Sequence, residues 1–193
     1  MIDDTEQKFL DAALKLFTKV GYTDATTIAI ADEAGFSDKT LFRKFKTKKN
    51  LYNQVLTRNA EKYKQELDEF VFIDKKFDTH HDFLDNYIRN LAKVNLDNFE
   101  YVNLSHHERN EIFEPVMKDR VDFVGDFIEK NIPNQKIDYK IFGLSINAFV
   151  HTINTDRYHG SNHVNYEEAL ENFINNTTRC IITTPKTQFK EFK

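Results

Sequence analysis

Six cations, Lys39, Arg43, Lys44, Lys46, Lys48 and Lys49, fall within eleven residues, and no acidic residue interrupts them. Ammonium and guanidinium groups at this density bind polyanions, above all the phosphate backbone of nucleic acid. Hydroxyls at Thr26, Thr27 and Ser37 upstream and at Thr40 within the run are able to cap helices or to donate to phosphate and base edges. A solvated helix face is the plainer reading of such a run. The net charge of -4 over 193 residues argues against a nucleic-acid partner until it is divided. Residues 1–60 carry ten Lys and Arg against eight Asp and Glu, a net of +2, while residues 61–193 carry seventeen against twenty-three, a net of -6. The cations are therefore concentrated at one end of an acidic chain.

Other reactive side chains point to less. His80-His81-Asp82 and His106-His107-Glu108 suggest a metal, but neighbours on a helix point about 100° apart and rarely share one ion. Glu111 stands where a zinc-protease helix would place its second His, and Glu-x-x-His occurs nowhere. Cys180, the one cysteine, has Ile174, Ile181 and Ile182 nearby and reads as a buried small residue. No catalytic residue, metal or cofactor is expected.

Five Gly and three Pro are about half or less of the usual roughly 7% and 5%, which favours an all-α fold. No run reaches the ~18 apolar residues of a membrane span, so a soluble cytoplasmic protein is expected. Phe9, Ala12, Ala13, Leu16, Phe17 and Val20 recur at helical spacing and predict a helix over 4–20, stopped at Gly21. A short helix over 27–34 follows, capped by Thr26 or Thr27 and ended by Gly35. Ser37 or Asp38 starts another, with Leu41, Phe42 and Phe45 as its apolar side, and Thr47 restarts the chain into a longer helix. Further helices are predicted over 79–97, 100–110, 114–130, 138–158 and 165–182, the first and last opening on Thr79/Asp82 and Asn165/Glu168 capping boxes.

Thr27 to Phe45 reads as a helix-turn-helix: small residues Ala31 and Ala34 at the crossing, Gly35 at the turn and Phe36 as the anchor after it. The second short helix then presents Ser37, Lys39 and Thr40 to base edges, with cations on its flanks for phosphate. Thr26-Thr27, Ile30-Ala31, Ala34-Gly35-Phe36-Ser37, Thr40-Leu41-Phe42-Arg43-Lys44-Phe45 and Lys48 together resemble the signature of the TetR-type bacterial transcriptional regulators. The resemblance covers about residues 5–56. It implies a dimer joined through the last two helices, a ligand-responsive C-terminal domain, and phosphate contacts from Thr27 and Lys48. Lys39 would suit guanine and Thr40 a hydroxyl or thymine-methyl contact, while Arg43 and Lys44 would neutralise phosphate. Phe42 replaces the Tyr usual in that family and belongs either to the DNA surface or to the core.

The apolar stretch 138–158 can serve as core, dimer face or cavity wall. A dimer face is favoured because the last helix offers a second stripe, which makes Phe142, Ile146, Phe149, Ile153, Leu170, Phe173, Ile174, Thr177, Cys180 and Ile181 the candidate interface. Pocket candidates are Phe83, Tyr87, Phe99, Tyr101, His106, His107, Phe113, Phe123, Phe127 and Asn147, each with a core role as the plainer alternative. The expected organisation is a DNA-binding domain over 1–47, a connecting helix over 48–72 and an effector-binding and dimerisation domain over 73–193. The expected function is a homodimeric regulator, a repressor released from a palindromic double-stranded DNA operator by a small-molecule effector. An all-helical metal or cofactor enzyme and a protein-binding adaptor are the competing readings.

Overall fold

A computed structural model describes residues 3–107, 113–133, 135–161 and 163–183, with side chains 106–107, 113–120 and 182–183 outside the description. Among the described residues the fold is all-α, with nine α-helices and one π-helical turn. They form two compact units: Met1–Glu66 with Asn98–Arg109, and Leu67–Asp97 with Asn110–Lys193.

In the first unit, α1 (Asp4–Asp24) begins where the Asp3 carboxylate accepts the Glu6 N–H at 2.8 Å. Its regular part ends at Gly21, where φ 80 and ψ 166 break the helix, but one more turn continues to Asp24. Gly21 therefore kinks the element rather than ending it at residue 20. Helix α2 (Thr27–Ala34) is capped by Thr26, whose hydroxyl accepts the Ala29 N–H at 3.1 Å. Its exit is a Schellman motif: Gly35 takes φ 77, its N–H bonds the Asp32 carbonyl, and the Phe36 N–H bonds that of Ala31. Helix α3 (Asp38–Phe45) starts on Ser37, which accepts the Thr40 N–H at 3.2 Å. Helix α4 (Lys48–Glu66) starts on Thr47, which accepts that of Asn50 at 3.0 Å.

Two eight-residue helices cannot persist in water alone. Here α1 supplies the surface that holds them. The Phe9 ring meets Phe36 at 5.3 Å and Phe45 at 5.8 Å between centroids, and Phe17 meets Tyr52 of α4 at 5.1 Å. Ile30, Ala31, Leu41, Leu51 and Val55 complete this core, all at most 1% exposed. Helix α6 (Phe99–His107) also belongs to this unit: Tyr101 packs on Tyr63, and Thr18 donates to the Glu100 carbonyl at 3.1 Å. The compact unit thus extends beyond residue 47, because α4 packs along α1 and α6 returns to both.

The second unit holds the π-helical turn Leu67–Val71, α5 (His80–Asp97), α7 (Phe113–Asn131), α8 (Tyr139–Tyr158) and α9 (Tyr166–Thr183). The expected caps are present: Asp82 N–H donates to Thr79 at 3.1 Å, and Glu168 N–H to Asn165 at 3.1 Å. Helices α7 and α8 approach so closely at Gly143 that a Cβ there would lie 2.6 Å from a Val124 methyl. Both α8 and α9 pack on α5, and Asn154 of α8 donates to the Ala92 carbonyl of α5 at 2.9 Å.

That packing corrects the expected dimer face. Ile146, Ile153, Leu170, Ile174, Thr177 and Ile181 are buried within the single chain, so they cannot also present a surface to a second one. Phe142 is half-buried, and Phe149 and Phe173, also half-buried, stack on each other at 3.7 Å. Cys180 is exposed, not buried as expected. The outward face of α8 carries Ile141, 61% exposed, Leu144, 42% exposed, and Ala148.

Candidate nucleic-acid interface

Helix α3 has three faces. Leu41 and Phe45 are fully buried and set its rotation against α1. Residues one turn apart share a side, so Lys39, Phe42 and Arg43 lie together, all exposed, with exposed Lys46 directly after the helix. Phe42 is 42% exposed, which places it at the surface among cations rather than in the core. Thr40 and Lys44 lie on the opposite flank. The Ser37 and Thr40 hydroxyls are 3.0 Å apart and engage each other while Ser37 caps the helix.

Lys44 does not join the exposed cations. Its ammonium pairs with Asp3 at 2.5 Å, and its side chain is only 17% exposed. The Lys44 ammonium, followed by the Glu6 N–H, holds the Asp3 carboxyl below its ordinary pKa. Lys46 takes φ 65 and donates to the Arg43 carbonyl at 3.0 Å, closing the end of α3. Lys48, at the first position of α4, donates to the Thr23 carbonyl at 3.1 Å. Thr27 is half-buried and leaves the cap to Thr26. Two ion pairs on α1 secure the other helices: Lys15 to Glu33 of α2 and Asp11 to Arg58 of α4, both at 2.5 Å.

The sequence places Lys46 in the basic run without giving it a contact of its own, although it follows Arg43 by three residues, and does not assign Ile28, which is 62% exposed in the first turn of α2, to the interface. The pairing of Asp3 with Lys44 carried no local signal, because the two lie 41 residues apart.

The pocket candidates separate. Phe83 and Tyr87 are buried and stack 5.8 Å apart, and Phe127 lies 5.8 Å from each. Phe72 bridges Phe127 at 5.1 Å to Phe123 at 4.8 Å, and Phe123 is 49% exposed. Phe99 and Tyr101 are buried in the other unit and are not part of this cluster. Asn147 donates to the Gly143 carbonyl of its own helix at 2.9 Å. The side chains of His106, His107 and Phe113 lie outside the described residues. A cleft of about 450 Å³ that the sequence did not suggest is lined by Ile153, Asp156, Arg157, Val164, Asn165 and Tyr166. No helix among the described residues is long and apolar enough to cross a membrane.

Residues 9–55 match the family model described as bacterial regulatory proteins, tetR family. The N-terminal head belongs to the TetR family. Two curated relatives are similar to part of this chain, both HTH-type transcriptional regulators of Bacillus subtilis (strain 168). YvkB is 41% identical over 56 residues, 29% of this chain and 30% of its own length. YhgD is 33% identical over 66 residues, 34% and 35%. The matches span about a third of these relatives. Beyond the TetR-type head, the fold is shared with solved structures. A TetR-like transcriptional regulator from Rhodococcus sp. RHA1 superposes with a TM-score of 0.72 at 15% identity, covering 93% of this chain and 97% of that one. The regulator FadR from Bacillus subtilis, solved in complex with stearoyl-CoA, superposes with a TM-score of 0.63 at 13% identity, covering 89% and 97%.

Proposed function

We propose that the protein is a homodimeric transcriptional regulator, a repressor whose TetR-type head reads a palindromic operator and releases it when a small-molecule effector binds. The observation that carries this reading is the exposed Lys39, Phe42 and Arg43 face of α3, standing opposite the fully buried Leu41 and Phe45. Lys39 serves a guanine edge, Arg43 serves phosphate, and Phe42 serves sugar or a thymine methyl. Thr27 and Lys48 serve phosphate at the N-termini of α2 and α4.

Dimerisation is assigned to the outward face of α8 and α9, with Ile141, Leu144 and Ala148 beside the stacked Phe149 and Phe173. The effector is assigned to the second unit, where the Phe72, Phe83, Tyr87 and Phe127 cluster favours an apolar or aromatic molecule. The stearoyl-CoA bound by B. subtilis FadR is in keeping with an apolar ligand for this architecture. An effector shifts the equilibrium only as far as it prefers the conformer unable to bind DNA.

The test is selection from a random duplex pool with the full chain at low salt. The expected result is a palindrome with half-sites about 10 bp apart, bound by a species of twice 22.8 kDa. No enrichment at low salt refutes the reading.

A further inference from the structure

Counting charges makes Lys44 one of the DNA-directed cations, but its geometry makes it part of the head itself. Its side chain, only 17% exposed, reaches Asp3 on the flank of α3 opposite the Lys39, Phe42 and Arg43 face. Asp3 in turn serves two elements. One oxygen accepts the Glu6 N–H at 2.8 Å and caps α1, and the other accepts the Lys44 ammonium at 2.5 Å.

Helix α3 has only eight residues, so its aim depends on whatever restrains its rotation. Leu41 and Phe45 seat one side in the core, and Asn50 holds the Phe45 carbonyl at 2.8 Å. Hydrophobic contacts are non-directional and permit small rotations. A charged hydrogen bond at the rim of that seat is directional and resists them. Lys44 also lies in the last turn of α3, where the helix dipole favours a cation.

We infer that Asp3 is a positioning residue for DNA recognition, clamping Lys44 so that α3 keeps the rotation that presents Lys39, Phe42 and Arg43. Lys44 serves this clamp and not the phosphate backbone. The inference rests on the DNA-binding reading above.

The test uses the full chain, its selected operator and a scrambled duplex of equal length. Asp3→Asn keeps a good N-cap acceptor and removes the charge, while Lys44→Met keeps the aliphatic stem. Each should lower the ratio of operator to scrambled affinity by about two- to fivefold, and the double variant should fall no further than either alone. Asp3→Glu should recover part of the ratio. The salt slope of Lys44→Met on scrambled DNA should equal that of the wild type, because no phosphate contact is lost. An Asp3→Asn ratio equal to wild type, measured well below its melting temperature, overturns the inference, as do additive losses. A Lys44→Met slope shallower by about one unit would put Lys44 on phosphate and also overturn it. If the wild type selects no duplex, DNA binding itself fails; if it does and the variants match it, only the clamp fails.

Discussion

The Lys48 ammonium lies 4.5 Å from the centroid of the Tyr22 ring. It also donates to the Thr23 carbonyl at 3.1 Å, so the short turn after Gly21 orients the first cation of α4. An ammonium has three donors, and the remaining two are available to a phosphate. Lys48→Ala should weaken binding to every sequence alike and make the salt slope shallower by about one unit. Tyr22→Ala should produce part of the same loss by releasing the ammonium. Plots of log affinity against log salt for the two variants check this.

Lys39 should behave differently from Lys48. Exposed on the outward face of α3, it is placed for a base edge, and Lys39→Ala should relax selectivity at one position at a cost of about 1–3 kcal/mol. Competition with single-base operator variants measures this. Uniform weakening across all of them would move Lys39 to the phosphate group.

The Phe9 ring joins the turn after α2 to the end of α3 through its contacts with Phe36 and Phe45. Fully buried, it should cost about 3–5 kcal/mol on truncation to Ala. Urea denaturation should show that loss, and DNA binding should disappear with it.

Gly143 allows α7 and α8 to meet, since its added Cβ would lie 2.6 Å from Val124 and 3.3 Å from Ile128. Gly143→Ala should destabilise by about 1–3 kcal/mol through overpacking, and adding Val124→Ala should recover part of it. Denaturation of the single and double variants tests the coupling.

Asp156 fastens the connection between α8 and α9 by accepting from the His163 ring at 2.5 Å and from its backbone N–H at 3.0 Å. The His163 side-chain hydrogen bond is the chief cause holding the Asp156 carboxyl below its ordinary pKa. A carboxyl lowered on folding stabilises fully above its unfolded pKa near 3.9 and loses that contribution as pH falls through the folded value. The contribution of the Asp156 carboxylate should therefore be lost as pH falls through its lowered folded value in strong acid. Asp156→Asn should raise amide exchange in the connecting loop at neutral pH.

Features set by neighbouring residues were legible in the sequence. Thr26, Gly35 and Ser37 delimit the helix-turn-helix through hydrogen bonds spanning at most five residues, and Thr79 and Asn165 cap where their spacing placed them. Directions set by distant partners were not. Helical spacing puts Lys39 and Lys44 on different sides of α3, but the partner that Lys44 reaches, Asp3, is set 41 residues away in the chain. Helix α8 is apolar on more than one side, so its sequence did not reveal that Ile146 and Ile153 turn inward while Ile141 and Leu144 turn outward. The return of α6 to α1 is likewise long-range: the Thr18 bond to Glu100 spans 82 residues.

That return bears on any attempt to graft this head onto another sensor. A cut at residue 47 would remove Leu51, Tyr52, Val55 and Leu56, and one at residue 66 would still omit Phe99, Tyr101, Val102 and Leu104, all buried here. A chimera made from the contiguous N-terminal segment alone would expose the surfaces these side chains cover and would tend to aggregate. The transplantable module is discontinuous, and its second piece must be supplied by the host or redesigned away.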